Sequence, residues 1–158
     1  MNPILFLDID GVLNDREFVS IVAAKFDGLP VRDGKWDGTH HLDPARVKRL
    51  NRVLEQTECK VVLSSSWRRL FGSADTETML RDRGFEGRLH SETPRIYGAP
   101  RAEEISAWLQ ANPSQTFAIL DDDPGAGVGH EAHFVQTTDG IEDAHVVRLT
   151  AMLLREGR

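Results

Sequence analysis

Three short apolar runs, each stopping on polar residues, constrain this chain more than any other feature. Ile4-Leu5-Phe6-Leu7 runs into Asp8-Ile9-Asp10-Gly11, and Lys60-Val61-Val62-Leu63 runs into Ser64-Ser65-Ser66. Thr116-Phe117-Ala118-Ile119-Leu120 runs into Asp121-Asp122-Asp123. Unbroken apolar runs this short read as strands covered on both faces. Between them the pattern changes to a helical period. Asp43-Pro44 reads as an N-cap followed by proline in the first helical position, with Val47, Leu50, Val53 and Leu54 forming one buried face. Pro100 opens another helix, with an apolar face of Ala102, Ile105, Trp108 and Leu109, and with Glu103 and Glu104 complementing its dipole. Further helices are expected near residues 75–83, stopped by Gly84, and at the C-terminus through Val146, Leu149 and Leu153. His133-Phe134-Val135 is a candidate fourth strand. The alternation predicts an α/β fold, a Rossmann-like and mostly parallel sheet flanked by helices. Ligands bind such sheets at the carboxyl ends of the strands, where all three polar clusters fall.

A chain of 158 residues is expected to form a single domain, 1–158, with a proper core. Its net charge of −6 argues against broad, non-specific attraction to nucleic acid or anionic membrane, though not against a local basic rim. The one cysteine, Cys59, has no internal partner for a disulfide, which fits a reducing cytoplasm. Nothing reads as a signal peptide or reaches the length of a membrane span. Residues 15–42 lack clear periodicity and form a small insertion beside the first cluster. Phe18, Val19, Ile21 and Val22 are expected in a helical turn or short strand there. Gly28, Pro30, Gly34 and Gly38 break the rest into turns with room for a hairpin. Residues 85–99 are expected to be irregular.

Alternation along an extended chain would put the Asp8 and Asp10 side chains on one side. Two carboxylates that close raise one another's pKa unless a cation joins them. Converging acids without a nearby His or Cys favour a hard cation, Mg2+ foremost, and such a centre suits a phosphate. An aspartate can then attack phosphorus, a strand-end hydroxyl can hold a phosphoryl oxygen, and a second carboxylic acid can protonate the leaving oxygen.

These residues, in this order, resemble the haloacid dehalogenase-like superfamily of aspartate-nucleophile phosphatases. Its first motif is matched by Asp8, Asp10, Gly11 and Val12, its second by Ser64 with Ser65 as the alternative, and its fourth by Asp121 and Asp122. Arg101 stands where the third motif places its cation, although the usual residue there is lysine. Phe6-Leu7-Asp8-Ile9-Asp10-Gly11-Val12-Leu13-Asn14, Val62-Leu63-Ser64-Ser65-Ser66-Trp67-Arg68 and Ile119-Leu120-Asp121-Asp122-Asp123 resemble a narrower group, the HAD domain of the Swiss Army Knife RNA-repair proteins. The resemblance implies a Mg2+-dependent phosphatase with a minimal cap, acting on a phosphorylated substrate such as an RNA or DNA end. It makes Asp8 the nucleophile and Asp10 the acid/base, with the Asp10 backbone carbonyl on the metal. It also implies that Ser64 holds the phosphoryl group, that Arg101 neutralises charge and that Asp122 is the direct metal ligand, with Asp121 beside it pairing with Arg101. Gly11 and Ser65 are expected near the substrate.

Two further readings stand beside this one: a small-molecule, nucleotide-type phosphatase with residues 15–42 as a lid, and an inactive metal- or phosphate-binding module. Arg68 and Arg69 either reach substrate phosphates or lie solvated on the surface. Trp67 and Trp108 read as packing residues, His130 and His133 as loop histidines, Gly125, Gly127 and Gly129 as a flexible turn, and Cys59 as inert packing.

Overall fold

The computed structural model describes residues 2–26, 30–113 and 116–155, so the expected turn at Gly28 lies outside the described residues. Five parallel strands form the main sheet: β1 (Ile4–Leu7), β4 (Lys60–Leu63), β5 (Leu89–Glu92), β6 (Phe117–Asp121) and β7 (Phe134–Gln136), in the order β5-β4-β1-β6-β7. A separate antiparallel pair, β2 (Val31–Arg32) and β3 (Lys35–Trp36), forms a hairpin. Asp33 and Gly34 turn it with φ of 52° and 75°, the left-handed pair that a tight two-residue hairpin needs. The helices are α1 (Arg16–Lys25), α2 (Pro44–Thr57), α3 (Trp67–Leu70), α4 (Ser73–Asp82), α5 (Arg101–Ala111) and α6 (Asp143–Leu153).

The three apolar runs occupy the middle of the sheet, where no face meets water. Leu5, Leu7, Val61, Leu63, Ala118 and Leu120 pack against α2, α4 and α6 through Leu50, Leu80 and Leu149. Ile4, Phe6, Val62 and Ile119 alternate to the opposite face and pack on Ile105 and Trp108 of α5. The Asp43 side chain caps α2 by accepting from the Ala45 N–H at 2.9 Å, with Pro44 following as expected. Gly84 follows α4 with φ of 96°. No helix among the described residues is long and apolar enough to cross a membrane.

The structure corrects three expectations. Residues 89–92 are not irregular but form β5, an edge strand whose half-exposed Leu-His-Ser-Glu sequence carries no apolar run. Its order comes from pairing with β4, which sequence periodicity does not register. The turn expected around Phe18 is a ten-residue helix, α1, capped by Asp15, which accepts from the Phe18 N–H at 2.8 Å. Only Val22 of α1 is buried, so its apolar signal is thin. Gly125 and Gly127 belong to a 3-10 turn rather than to a loose one, and a Cβ on Gly127 would stand 2.3 Å from the Phe134 ring.

Candidate active site

Register brings the clusters together. Leu7 pairs with Leu63 on one side and with Leu120 on the other, so the next residues, Asp8, Ser64 and Asp121, end three neighbouring strands at one level. Two hydrogen bonds carry the ladder past Leu7, from Asp8 N–H to the Leu120 carbonyl and from Ser64 N–H to the Leu7 carbonyl, each at 3.0 Å. Continued alternation sends these side chains toward the face that α5 covers, because Phe6, Val62 and Ile119 two residues earlier lie there. Arg101 opens α5 at that end of the sheet.

Carboxylate oxygens of Asp8, Asp121 and Asp122 lie within 4.8 Å of one another, a donor set of hard oxygens with the chemistry a divalent cation such as Mg2+ takes. Asp8 and Asp121 are buried and Asp122 is exposed. Arg101 Nη1 stands 2.6 Å from Asp121 Oδ2 and 3.3 Å from Asp8 Oδ1, bridging the two buried acids. The second Asp121 oxygen accepts from the Asp123 N–H at 2.9 Å. Burial first, then the Asp121 charge, push the Asp8 carboxyl up to about 8, with Arg101 pulling the other way. Burial raises Asp121 as well, again against Arg101. Without a cation these acids therefore hold protons at a pH where exposed carboxylates have lost theirs.

Gly11 makes room for this arrangement. Its φ is 76°, and a Cβ there would stand 2.3 Å from Asp122 Oδ2, so any side chain would displace the acid. The Gly11 carbonyl is in turn fixed by the Thr137 hydroxyl at 2.7 Å and the Gly140 N–H at 3.0 Å.

Asp10 does not share a place with Asp8. Extension ends at Leu7, the chain turns, and the Asp10 side chain stands exposed outside the carboxylate cluster. Asn14 Nδ2 and Trp67 Nε1 donate to its two oxygens, both at 3.0 Å. The Gly11 N–H donates to Asn14 Oδ1 at 2.9 Å, which fixes the amide so that its NH2 faces Asp10. Trp67 is buried, as packing predicts, between the Phe71 ring at 4.9 Å and Gly38, where a Cβ would fall 2.7 Å from the indole. Its N–H contact to Asp10 was not legible in the sequence. The only sequence signal is that Trp67 lies three residues after Ser64.

Ser64 and Ser65 are both fully buried, but their hydroxyls differ. Ser65 Oγ accepts from the Trp67 N–H at 3.2 Å, whereas Ser64 Oγ has no hydrogen-bond partner among the described residues. A buried hydroxyl without a partner is costly unless a ligand supplies one.

Arg68 meets neither of its expectations. Its side chain is 1% exposed, neither solvated nor open to a substrate. Nη1 donates to the Ser64 and Ser65 carbonyls at 2.9 and 2.7 Å, Nε to the Thr93 carbonyl at 3.3 Å, and Nη2 to Glu104 at 2.5 Å. It ties the ends of β4 and β5 to α5 and thereby holds the Ser64 turn. Glu104, expected to complement the helix dipole and indeed in the first turn of α5, is buried as the counter-ion of Arg68 and also binds the half-exposed Arg69 at 2.9 Å. His130 and His133 make no shared site: His130 pairs with Ser106 at 2.8 Å and His133 with the Phe117 carbonyl at 3.0 Å.

The profile of the HAD domain in Swiss Army Knife RNA repair proteins matches residues 4–146, and the chain belongs to that family. Membership supports a hydrolase. Among solved structures, a haloacid dehalogenase-like family hydrolase from Streptococcus pneumoniae is similar over 94% of this chain and 90% of that one, with a TM-score of 0.45 and 12% identity. No curated protein matches the chain significantly.

Proposed function

We propose that this member of the family is a Mg2+-dependent phosphoric monoester hydrolase that works through an aspartyl-phosphate and removes terminal phosphates from RNA or DNA ends. What carries the reading is one arrangement: three carboxylates gathered together, the two buried ones bridged by Arg101, beside a buried Ser64 hydroxyl that lacks a partner among the described residues.

In this reading Asp8 attacks phosphorus, forming the acyl-phosphate bond as the ester P–O bond breaks. Asp10 gives the leaving oxygen its proton. Asp10 then takes a proton from water as that water attacks phosphorus, releasing inorganic phosphate and restoring Asp8. Ser64 donates its hydroxyl to a phosphoryl oxygen, and Gly11 and Ser65 shape the turns around the phosphate. Arg101 offsets the charge of Asp8, Asp121 and the incoming phosphate. Mg2+, held by Asp8, Asp122 and the Asp10 carbonyl with Asp121 beside them, would supply further neutralisation of the phosphoryl oxygens. Residues 15–42 serve as a minimal cap on a single domain, leaving the site open to a chain end. A cytoplasmic setting would keep the buried Cys59 thiol reduced.

The test compares 3′- and 5′-phosphorylated oligonucleotides, free mononucleotides and an aryl phosphate, each with Mg2+ and with a chelator. Mg2+-dependent turnover with the oligonucleotides preferred is expected. Preference for mononucleotides would make residues 15–42 a lid, and metal-independent turnover would sink the mechanism.

A further inference from the structure

A cleft of about 920 Å³ opens beside the carboxylate cluster, and of the proposed catalytic groups it takes in Asp10 and Asp122 but neither Asp8 nor Ser64. Its far wall is the start of α1, with Arg16, Val19 and Ser20, and His41 contributes from the segment before α2. A group that protonates a leaving oxygen must face the side on which the leaving group departs. The cleft therefore lies where the alcohol half of the ester would sit, and this argument rests on the hydrolase reading above.

The chemistry of that wall narrows what the alcohol carries. Arg16 is exposed on the wall of the cleft and makes no ion pair among the described residues. The neighbouring acid, Asp15, is already taken, accepting from Arg46 at 3.1 Å and from the Phe18 N–H at 2.8 Å. Arg16 also occupies the first position of a ten-residue helix, where a cation opposes the helix dipole. An anion in the cleft would relieve both the unpaired charge and that repulsion. Asp10 and Asp122 belong to the reaction centre, and the remaining acid, Asp139, is exposed.

We propose that this cleft is the leaving-group site and that Arg16 pairs there with a second phosphate on the leaving alcohol. The substrate class is then a phosphate monoester one sugar away from another phosphate, as at a polynucleotide end or in a nucleoside 3′,5′-bisphosphate. The guanidinium takes phosphate oxygens through two parallel N–H donors, which lysine would match only as a point charge.

Two measurements test it on the full chain. In the first, kcat/KM for a nucleoside 3′,5′-bisphosphate is divided by that for p-nitrophenyl phosphate. Arg16→Ala should lower this ratio about tenfold, mainly through KM, with Arg16→Lys between. Lys48→Ala, an exposed cation on α2, should leave the ratio where it was. In the second, binding of the bisphosphate is measured by calorimetry in an Asp8→Asn background, where Arg16→Ala should weaken it by a similar factor. A ratio and an affinity that both ignore Arg16→Ala would overturn the proposal. Arg16-dependent binding by a chain that hydrolyses no phosphate ester would uphold the anion site and refute the hydrolase reading instead.

Discussion

Asp8 and Asp10 are one residue type, two positions apart at the end of one strand, and they live in opposite surroundings. Asp8 is 4% exposed, among two other carboxylates and the Arg101 guanidinium. Asp10 faces solvent, its two oxygens held by the neutral N–H groups of Asn14 and Trp67. Charge and burial dominate the first; hydrogen-bond direction dominates the second. The separation begins where the strand ends, because extension stops at Leu7 and the chain enters a turn over residues 10–13. A nucleophile needs a fixed position and a counter-cation, whereas a proton carrier needs access to both the leaving group and water. The two halves of this site match those two demands.

Replacing each acid by its amide breaks the comparison most directly. In the proposed mechanism Asp8→Asn removes the attacking oxygen, and turnover of every phosphate ester should fall by roughly 10³-fold or more. In the same mechanism Asp10→Asn removes only the proton, so its loss should follow the leaving group: about 10²-fold or more for an alkyl phosphate and much less for an aryl phosphate. Steady-state kinetics on a leaving-group series separates the two patterns. Equal losses across the series for Asp10→Asn would contradict the division of roles.

The Asp8 half was the legible one. Strand ends, polar clusters and their order are written in short apolar runs, and in-register pairing of Leu7 with Leu63 and Leu120 turns that order into proximity. The Asp10 half was not. Trp67 looks like any aromatic at a helix start, and its packing against Gly38 depends on where residues 15–42 fold back. Arg68 misled for a related reason. An arginine beside an expected phosphate motif has the right chemistry for substrate, and only the buried position of Glu104 on α5 shows that its partner is internal. Edge strand β5 escaped because its order comes from pairing with β4 and its sequence carries no alternation.

Trp67→Phe sharpens the comparison from the other side. Phenylalanine keeps an aromatic ring against Phe71 and Gly38 but removes the N–H that aims Asp10. A hydrogen bond to a charged group contributes about 1.5–3 kcal/mol, so turnover of an alkyl phosphate should fall by at least about tenfold. Aryl phosphate turnover should fall less, in parallel with Asp10→Asn. Equal losses on both substrates would reduce Trp67 to a packing residue.

The smallest effect is one of stability, and its sign follows from Asp8. With its carboxyl raised from 3.8 to about 8 when folded, the metal-free native chain holds a proton that the unfolded chain has released between about pH 4 and pH 8. Raising the pH through that window therefore removes stability from the parent. Asp121, also raised by burial, adds in the same direction. His130 and His145, held low by burial, work oppositely as pH rises through the ordinary imidazole range. A direct comparison with Asp8→Asn cancels those histidines. In chelator, the melting temperature of Asp8→Asn relative to the parent should rise from pH 5 to pH 8. A divalent cation takes the place of the proton, so Mg2+ should raise the parent's melting temperature more at pH 8 than at pH 5. Thermal melts at the two pH values, with and without Mg2+, decide it. An identical Mg2+ shift at both would mean that the cation does not bind through the protonated Asp8 cluster.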